Sequence, residues 1–439
     1  MAETFDRKLR TLSRKDPMGF TTSYEYDEYI PANPPSRPVP HYGGNVIAMT
    51  DPRGARTTMT YDDLRSNILS RTNALSETTT WEYSHVLAGG VPLNKPTKET
   101  RPITAEAPAG WENRYTYDGA GNLLTHIDGR PNETFGTLAT HTYNARGLVS
   151  SSKDARNNET TFGYDPVTGF LTSRTIAFGT PQTATWNFTY TELGWPKTET
   201  NPLNHTTTLG YNVNGQVVST TDAISRIFTK AYDSNGNLVV ESDGKGVNTT
   251  YGYTGADERN QKIDRVGKVW GFTYNNFGEL ETTTAPPAVS DGSNQSLVST
   301  RIYDLNGRVI EERDPFYPTT PAGHVVRYEY DANGNPTATV DKTNKRWEKT
   351  YDALNRVIAE RDPEGDVRRT SFDAAGRVLV ITSANGHPTS HEYDGRGRLA
   401  KWKDPEGLEW IYSYDGVGNI LDIEDAGTMQ MVSSCMVIT

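Results

Sequence analysis

The sequence predicts an all-β protein built from tandem β-hairpins. Three observations predict it: aromatic residues recur every 21 positions, turn residues keep the same phase, and apolar residues are too few for a thick core. Only 34% of the 439 residues are hydrophobic, and the mean hydropathy is −0.68. That suits a thin sheet in which each unit buries a small patch. The 24 Tyr, 12 Phe and 8 Trp set the chain apart from disordered sequences, which are poor in aromatics. The 39 Gly and 25 Pro supply the turns.

The aromatic anchors are Tyr117, Tyr143, Tyr164, Tyr190, Tyr211, Tyr232, Tyr253, Tyr274, Tyr303, Tyr330, Tyr351, Phe372, Tyr393 and Tyr414. Of the 13 spacings between them, nine are 21 residues. Counting each anchor as zero, Asp follows at +1 (Asp118, Asp233, Asp352), Gly at +4 (Gly121, Gly236, Gly376) and an aliphatic residue at +6 (Leu123, Leu238, Val378). Asp returns at +11 (Asp243, Asp264, Asp362) and Gly at +14 (Gly246, Gly267, Gly365). The Y-D-x-x-G stretch reads as a turn, because Asp accepts hydrogen bonds from nearby backbone N–H groups and Gly takes positive φ. A strand follows from about +5 to +10. The second turn is D-P-x-G in its fullest copies, as in Asp362-Pro363-Glu364-Gly365, with the residues a type I turn prefers. A second strand runs from about +15 to the next anchor, and positions +17, +19 and +21 share a face.

An N-terminal lead, residues 1–15, precedes divergent repeats with loop insertions over 16–116. A regular array occupies 117–425 and an atypical tail 426–439. The longer spacings place insertions at residues 31–40, 285–296 and 317–323, all at turns, where they leave strand pairing intact. No linker separates domains. In the tail the next anchor position is Cys435, and residues 429–439 are apolar and lack the usual turn residues.

The net charge of −11 and the lack of any long Lys/Arg run argue against a nucleic-acid partner. A single cysteine excludes an intrachain disulfide. Residues 1–14 lack the apolar run of a signal peptide, and no stretch approaches the roughly 20 apolar residues of a membrane helix.

The sequence points to no catalytic, cofactor-binding or metal residues. Asp233-Ser234-Asn235-Gly236-Asn237 and Asp331-Ala332-Asn333-Gly334-Asn335 look like the start of a calcium loop, but Gly falls at position 4, so a hydrogen-bonded turn is the better reading. His387 and His391 lie beside Gly386 and Pro388 and lack the Glu of H-E-x-x-H. No phosphate loop or nucleophile motif appears. The Asp residues repeat at structural positions, so none stands out as an acid or base. Trp111, Trp195, Trp270 and Trp402 become sugar-stacking candidates only if exposed; packing between repeats is the reading preferred for the aromatics.

The recurrent Y-D-x-x-G-[NR]-[LV], as in Tyr117-Asp118-Gly119-Ala120-Gly121-Asn122-Leu123 and Tyr393-Asp394-Gly395-Arg396-Gly397-Arg398-Leu399, resembles the YD-repeat (RHS-repeat) family. The resemblance covers roughly residues 16–425. It implies a long β-strip that coils into a hollow shell, as in RHS polymorphic toxins, insecticidal Tc toxin components and teneurins. The implied function is a non-enzymatic scaffold, part of a shell that encapsulates or presents a cargo such as a C-terminal toxin. The alternative is a cell-surface binding module for glycans or a partner protein. The implied partners are a toxin cargo, a neighbouring shell segment or a glycan, and the implied location is secreted or cell-surface. Residues 404–408 spell D-P-E-G-L, which resembles the element beside which RHS toxins cleave themselves. The same turn begins at Asp362, two repeats earlier, so the repeat phase explains it, and only 31 residues follow Leu408. Thirteen repeats, about 26 strands at about 4.8 Å each, give a strip of about 125 Å. A partial or single-turn shell with open edge strands is expected.

Overall fold

The computed structural model describes residues 2–27, 44–62, 65–87, 89–103, 110–129, 136–287, 297–315, 324–394, 397–415 and 418–425. All regular structure among them is β. Thirty-six strands, numbered in chain order from β1 (Ala2–Phe5) to β36 (Ile420–Asp425), form one sheet. Wherever the register is defined, each strand pairs antiparallel with the next in sequence. The topology is therefore a meander of hairpins, as the 21-residue period predicts. Residues of the N-terminal lead supply β1 and β2 (Thr11–Lys15), which pair with each other. The insertions at 31–40 and 317–323, most of 285–296, and the tail at 429–439 lie outside the described residues.

Both turns of the repeat close in the same way. In the Tyr232 repeat, the Asp233 N–H donates to the Asn237 carbonyl (2.9 Å) and the Gly236 N–H to the Asp233 carbonyl (3.2 Å). In the D-P-x-G turn, Asp362 N–H donates to Asp366 and Gly365 N–H to Asp362 (3.0 and 3.1 Å). This is a three-residue hairpin loop: a type I turn followed by a left-handed residue and a bulge. The left-handed position explains the glycines at +4 and +14: Gly376 has φ 82° there, and Asn355 fills the same place in its repeat with φ 63°. The Asp carboxylate secures the loop. Asp118 Oδ1 accepts from the N–H groups of Ala120 (2.9 Å) and Asn122 (2.8 Å).

The bulge sits at the anchor. Tyr211 pairs with Val217 after a register shift at Gly210/Tyr211, and the same shift recurs at Tyr253, Tyr351 and Tyr393. Between successive repeats the ladder stops short of the turn: Val240 pairs with Thr250, and the strands part beyond it. The anchor closes that gap. Tyr253 Oη donates to the carbonyl of Leu238, at +6 of the preceding repeat (2.8 Å), and Tyr274, Tyr393 and Tyr414 do the same to Arg259, Val378 and Leu399. A ladder carbonyl that the next strand has left behind thus gains a donor. Threonine hydroxyl pairs across the strands, such as Thr189–Thr198 and Thr273–Thr282 (2.6 Å each), add about 0.2–1 kcal/mol apiece.

Phe372 occupies an anchor position without a hydroxyl to offer the Val357 carbonyl. Phe372→Tyr is therefore expected to raise stability by about 0.5–1.5 kcal/mol, read as an upward shift of the thermal midpoint. An unchanged or lowered midpoint would show that the hydroxyl bridge contributes nothing.

Burial follows from this thinness. Among the described residues the buried apolar side chains are Ala48, Leu93, Val325 and Ala338. By packing, the chain divides into one unit of Met1–Asn157, Tyr330–Ala338 and Arg346–Thr439 and another of Asn158–Glu329 and Thr339–Lys345.

Candidate functional site

Because strands alternate in direction, the described Y-D-x-x-G turns lie along one edge of the strip and the described D-P-x-G-type turns along the other. The first unit brings these two edges together. The turn Asp51-Pro52-Arg53-Gly54 joins β4 (Val46–Thr50) to β5 (Arg56–Tyr61). It docks on two Y-D turns much later in the chain. One joins β27 (Val325–Tyr330) to β28 (Pro336–Val340), and the other joins β29 (Arg346–Tyr351) to β30 (Val357–Arg361).

Arg53 Nη2 donates to the Asp352 carbonyl (2.6 Å) and to Asn355 Oδ1 (2.7 Å). Its Nη1 lies 3.4 Å from Asp331 Oδ2. Asn333 Nδ2 donates to Asp51 Oδ2 and to Asn355 Oδ1. The planar guanidinium suits this task, since it serves several acceptors at fixed angles.

The seam recurs. Arg156 is likewise the third residue of its turn, between β12 (Val149–Asp154) and β13 (Glu159–Tyr164). Its Nη1 lies 3.2 Å from Oδ2 of Asp415, in the Y-D turn between β35 (Glu409–Tyr414) and β36.

The 14 anchors are all half-buried, each at the end of its strand. A further partner position is the residue at +5. Arg377 binds its own Asp373 through Nε (2.6 Å), and its guanidinium lies 4.6 Å over the ring of Tyr393. Arg356 over Phe372 and Arg398 over Tyr414 repeat this at 4.5 Å. In an earlier repeat Trp195 does the packing, its ring 5.3 Å from Tyr211. The signal was present as the [NR] of the motif. Each Arg couples one turn to the next anchor by a cation–π contact worth about 0.5–1 kcal/mol at exposed sites.

Of the tryptophans, Trp111, Trp195, Trp270 and Trp402 are all half-buried. Trp402 packs on Trp410 at 4.3 Å, and Lys262 lies over Trp270. The calcium-like stretches are hairpin turns, and no group of three or more His, Cys, Asp or Glu residues is placed to hold a metal among the described residues. The turn at Asp404 closes like the one at Asp362. No helix of the described residues is long and apolar enough to cross a membrane.

One tyrosine stands apart electrostatically. Burial, and then the hydrogen bond from Tyr251 Oη to Glu241 Oε1 (2.5 Å), push the Tyr251 phenol up to about 12. A raised folded-state value stabilises the fold below the ordinary tyrosine value of 10.0, and the contribution disappears as pH rises through about 12. Difference absorbance titration at the phenolate band, wild type against Tyr251→Phe, should show the missing group ionising near 12. Ionisation at the ordinary value would refute the contact.

The RHS Repeat family model matches residues 303–345, 351–388 and 393–428. Over those residues the chain matches RHS repeats. The chain is 24% identical over 311 residues to the probable deoxyribonuclease RhsB of Dickeya dadantii, covering 68% of this chain and 18% of that protein. It is 26% identical over 174 residues to the double-stranded DNA deaminase toxin A of Burkholderia cenocepacia, covering 40% of this chain and 11% of that one. It thus spans less than a fifth of either relative, and the activities in those names are those of the relatives. The crystal structure of TcdB2-TccC3-Cdc42 shares the fold with a TM-score of 0.54 at 12% identity, over 97% of this chain and 31% of that one.

Proposed function

We propose that this RHS-repeat strip is a non-enzymatic scaffold, a stretch of a partial hollow shell that encapsulates or presents a cargo such as a toxin domain. The observation that carries the reading is the seam. Arg53 on Asp331 and Asp352, and Arg156 on Asp415, fasten one edge of the strip to the other, which is what a wall made from a coiled ribbon requires. The turn carboxylates support it as well, since those of Asp118 and Asp352 are spent on backbone N–H groups of their own loops. The test is protease protection. An unfolded segment of about 50 residues fused after Thr439 should be cut more slowly in the intact fusion than after the strip is denatured and the same segment is exposed. Equal cutting rates would sink the encapsulation reading and leave a scaffold that only presents.

A further inference from the structure

The socket that receives Arg53 has a counterpart in the second unit. Asn333 and Asn335 both donate through Nδ2 to Asn355 Oδ1 (3.0 and 2.7 Å), and Asn335 also donates to Asp331 Oδ2 (2.9 Å). In the turns at 233–237 and 254–258, Asn235 and Asn237 both donate through Nδ2 to Asp257 Oδ1 (2.8 and 2.7 Å), and Asn237 also donates to Asp233 Oδ2 (3.1 Å). The three bonds match residue for residue. A D-x-N-G-N turn followed by Asn or Asp at +4 of the next repeat occurs in the sequence only at these two places.

The two sites differ in cover. Asp331 and Asn333 are half-buried beneath the Asp51–Gly54 loop, whereas Asp233, Asn235 and Asp257 are exposed. They also differ in charge: Asp257 stands where the first socket has the neutral Asn355, so an arginine would meet a carboxylate in place of an amide oxygen. We propose that the turns at 233–237 and 254–258 form a second docking socket, which receives an Asp-Pro-Arg-Gly hairpin turn from a further stretch of RHS-repeat strip. The arginine reaches Asp257, Asp233 and the Thr254 carbonyl, and the turn's aspartate accepts from the remaining Nδ2 hydrogen of Asn235, as Asp51 does from Asn333. The carboxyl of Asp233 is held below the usual carboxylate range by the Asn237 backbone N–H, so the socket stays anionic at neutral pH. Arg156 on Asp415 shows that an arginine at the third position of a turn finds the Asp at +1 of a Y-D turn elsewhere in the strip too.

The inference rests on the strip being a repeat scaffold and not on what that scaffold encloses, so protease protection can fail while this stands. The test titrates a fluorescent, disulfide-closed hairpin peptide carrying Asp-Pro-Arg-Gly at its turn into the full chain. Saturable binding in the millimolar range or tighter is expected. Asp257→Ala and Asn235→Ala should each weaken it at least tenfold, as should Asp-Pro-Ala-Gly in the peptide. Asn419→Ala, at a turn outside both sockets, should leave it unchanged, and circular dichroism checks that every variant keeps its strands. No saturation up to millimolar peptide, or binding that survives Asp257→Ala or the arginine exchange, overturns the proposal.

Discussion

Arg53→Ala is expected to loosen the seam by about 2–3 kcal/mol while leaving every hairpin paired. The side chain carries two hydrogen bonds and an ion pair, all to turns far along the chain, and none to the ladder of its own strands. Its loss also leaves the half-buried Asp331 carboxylate without its cationic neighbour across the seam. Amide hydrogen exchange should therefore quicken at 331–335 and 352–356 and around residue 53, with circular dichroism unchanged. Arg53→Lys should recover part of the effect, because it restores charge but not the fork of donors. Unaltered exchange at 331–356 in the alanine variant would mean that the two edges are not held together in solution.

Tyr393→Ala should cost about 2–3 kcal/mol, and Tyr393→Phe only about 0.5–1.5 kcal/mol. Alanine removes the half-buried ring beneath Arg377 and the bridge to the Val378 carbonyl together. Phenylalanine keeps the ring and loses only the bridge, an arrangement that Phe372 beneath Arg356 already shows to be compatible with the fold. The alanine value lies below that of a fully buried aromatic because the anchors are only half covered. Chemical denaturation of the three proteins measures the difference. Equal losses from the two substitutions would assign the whole effect to the hydroxyl.

The hairpin and its phase were legible in the sequence because they are local. An Asp at +1 and a Gly at +4 suffice to specify a loop closed by its own carboxylate and a left-handed residue, and each repeat states this again. The recurrence of the aromatic at zero was legible for the same reason. Its bond to the carbonyl at +6 of the preceding repeat was not, because that bond depends on where the ladder stops, as after Val240 and Thr250. The role of Arg377 was half legible: the motif records the residue type, and only the structure shows it spanning from Asp373 to Tyr393. The seam was not legible at all. Arg53 and Asp352 are 299 positions apart, and nothing in the local pattern of either turn points to the other.

The seam also counts. Its two ion pairs, Arg53 with Asp331 and Arg156 with Asp415, join turns whose strand numbers differ by 23 in both places, β4 with β27 and β12 with β35. A whole repeat added or deleted between them would change that difference by two strands, so Arg53 and Arg156 would each face a turn one repeat out of step. Only turns that carry the right acceptors would accept them. Insertions within a loop change chain length without changing the count, whereas duplication or loss of one repeat is a frameshift of the wall, its strands intact and its rivets misaligned.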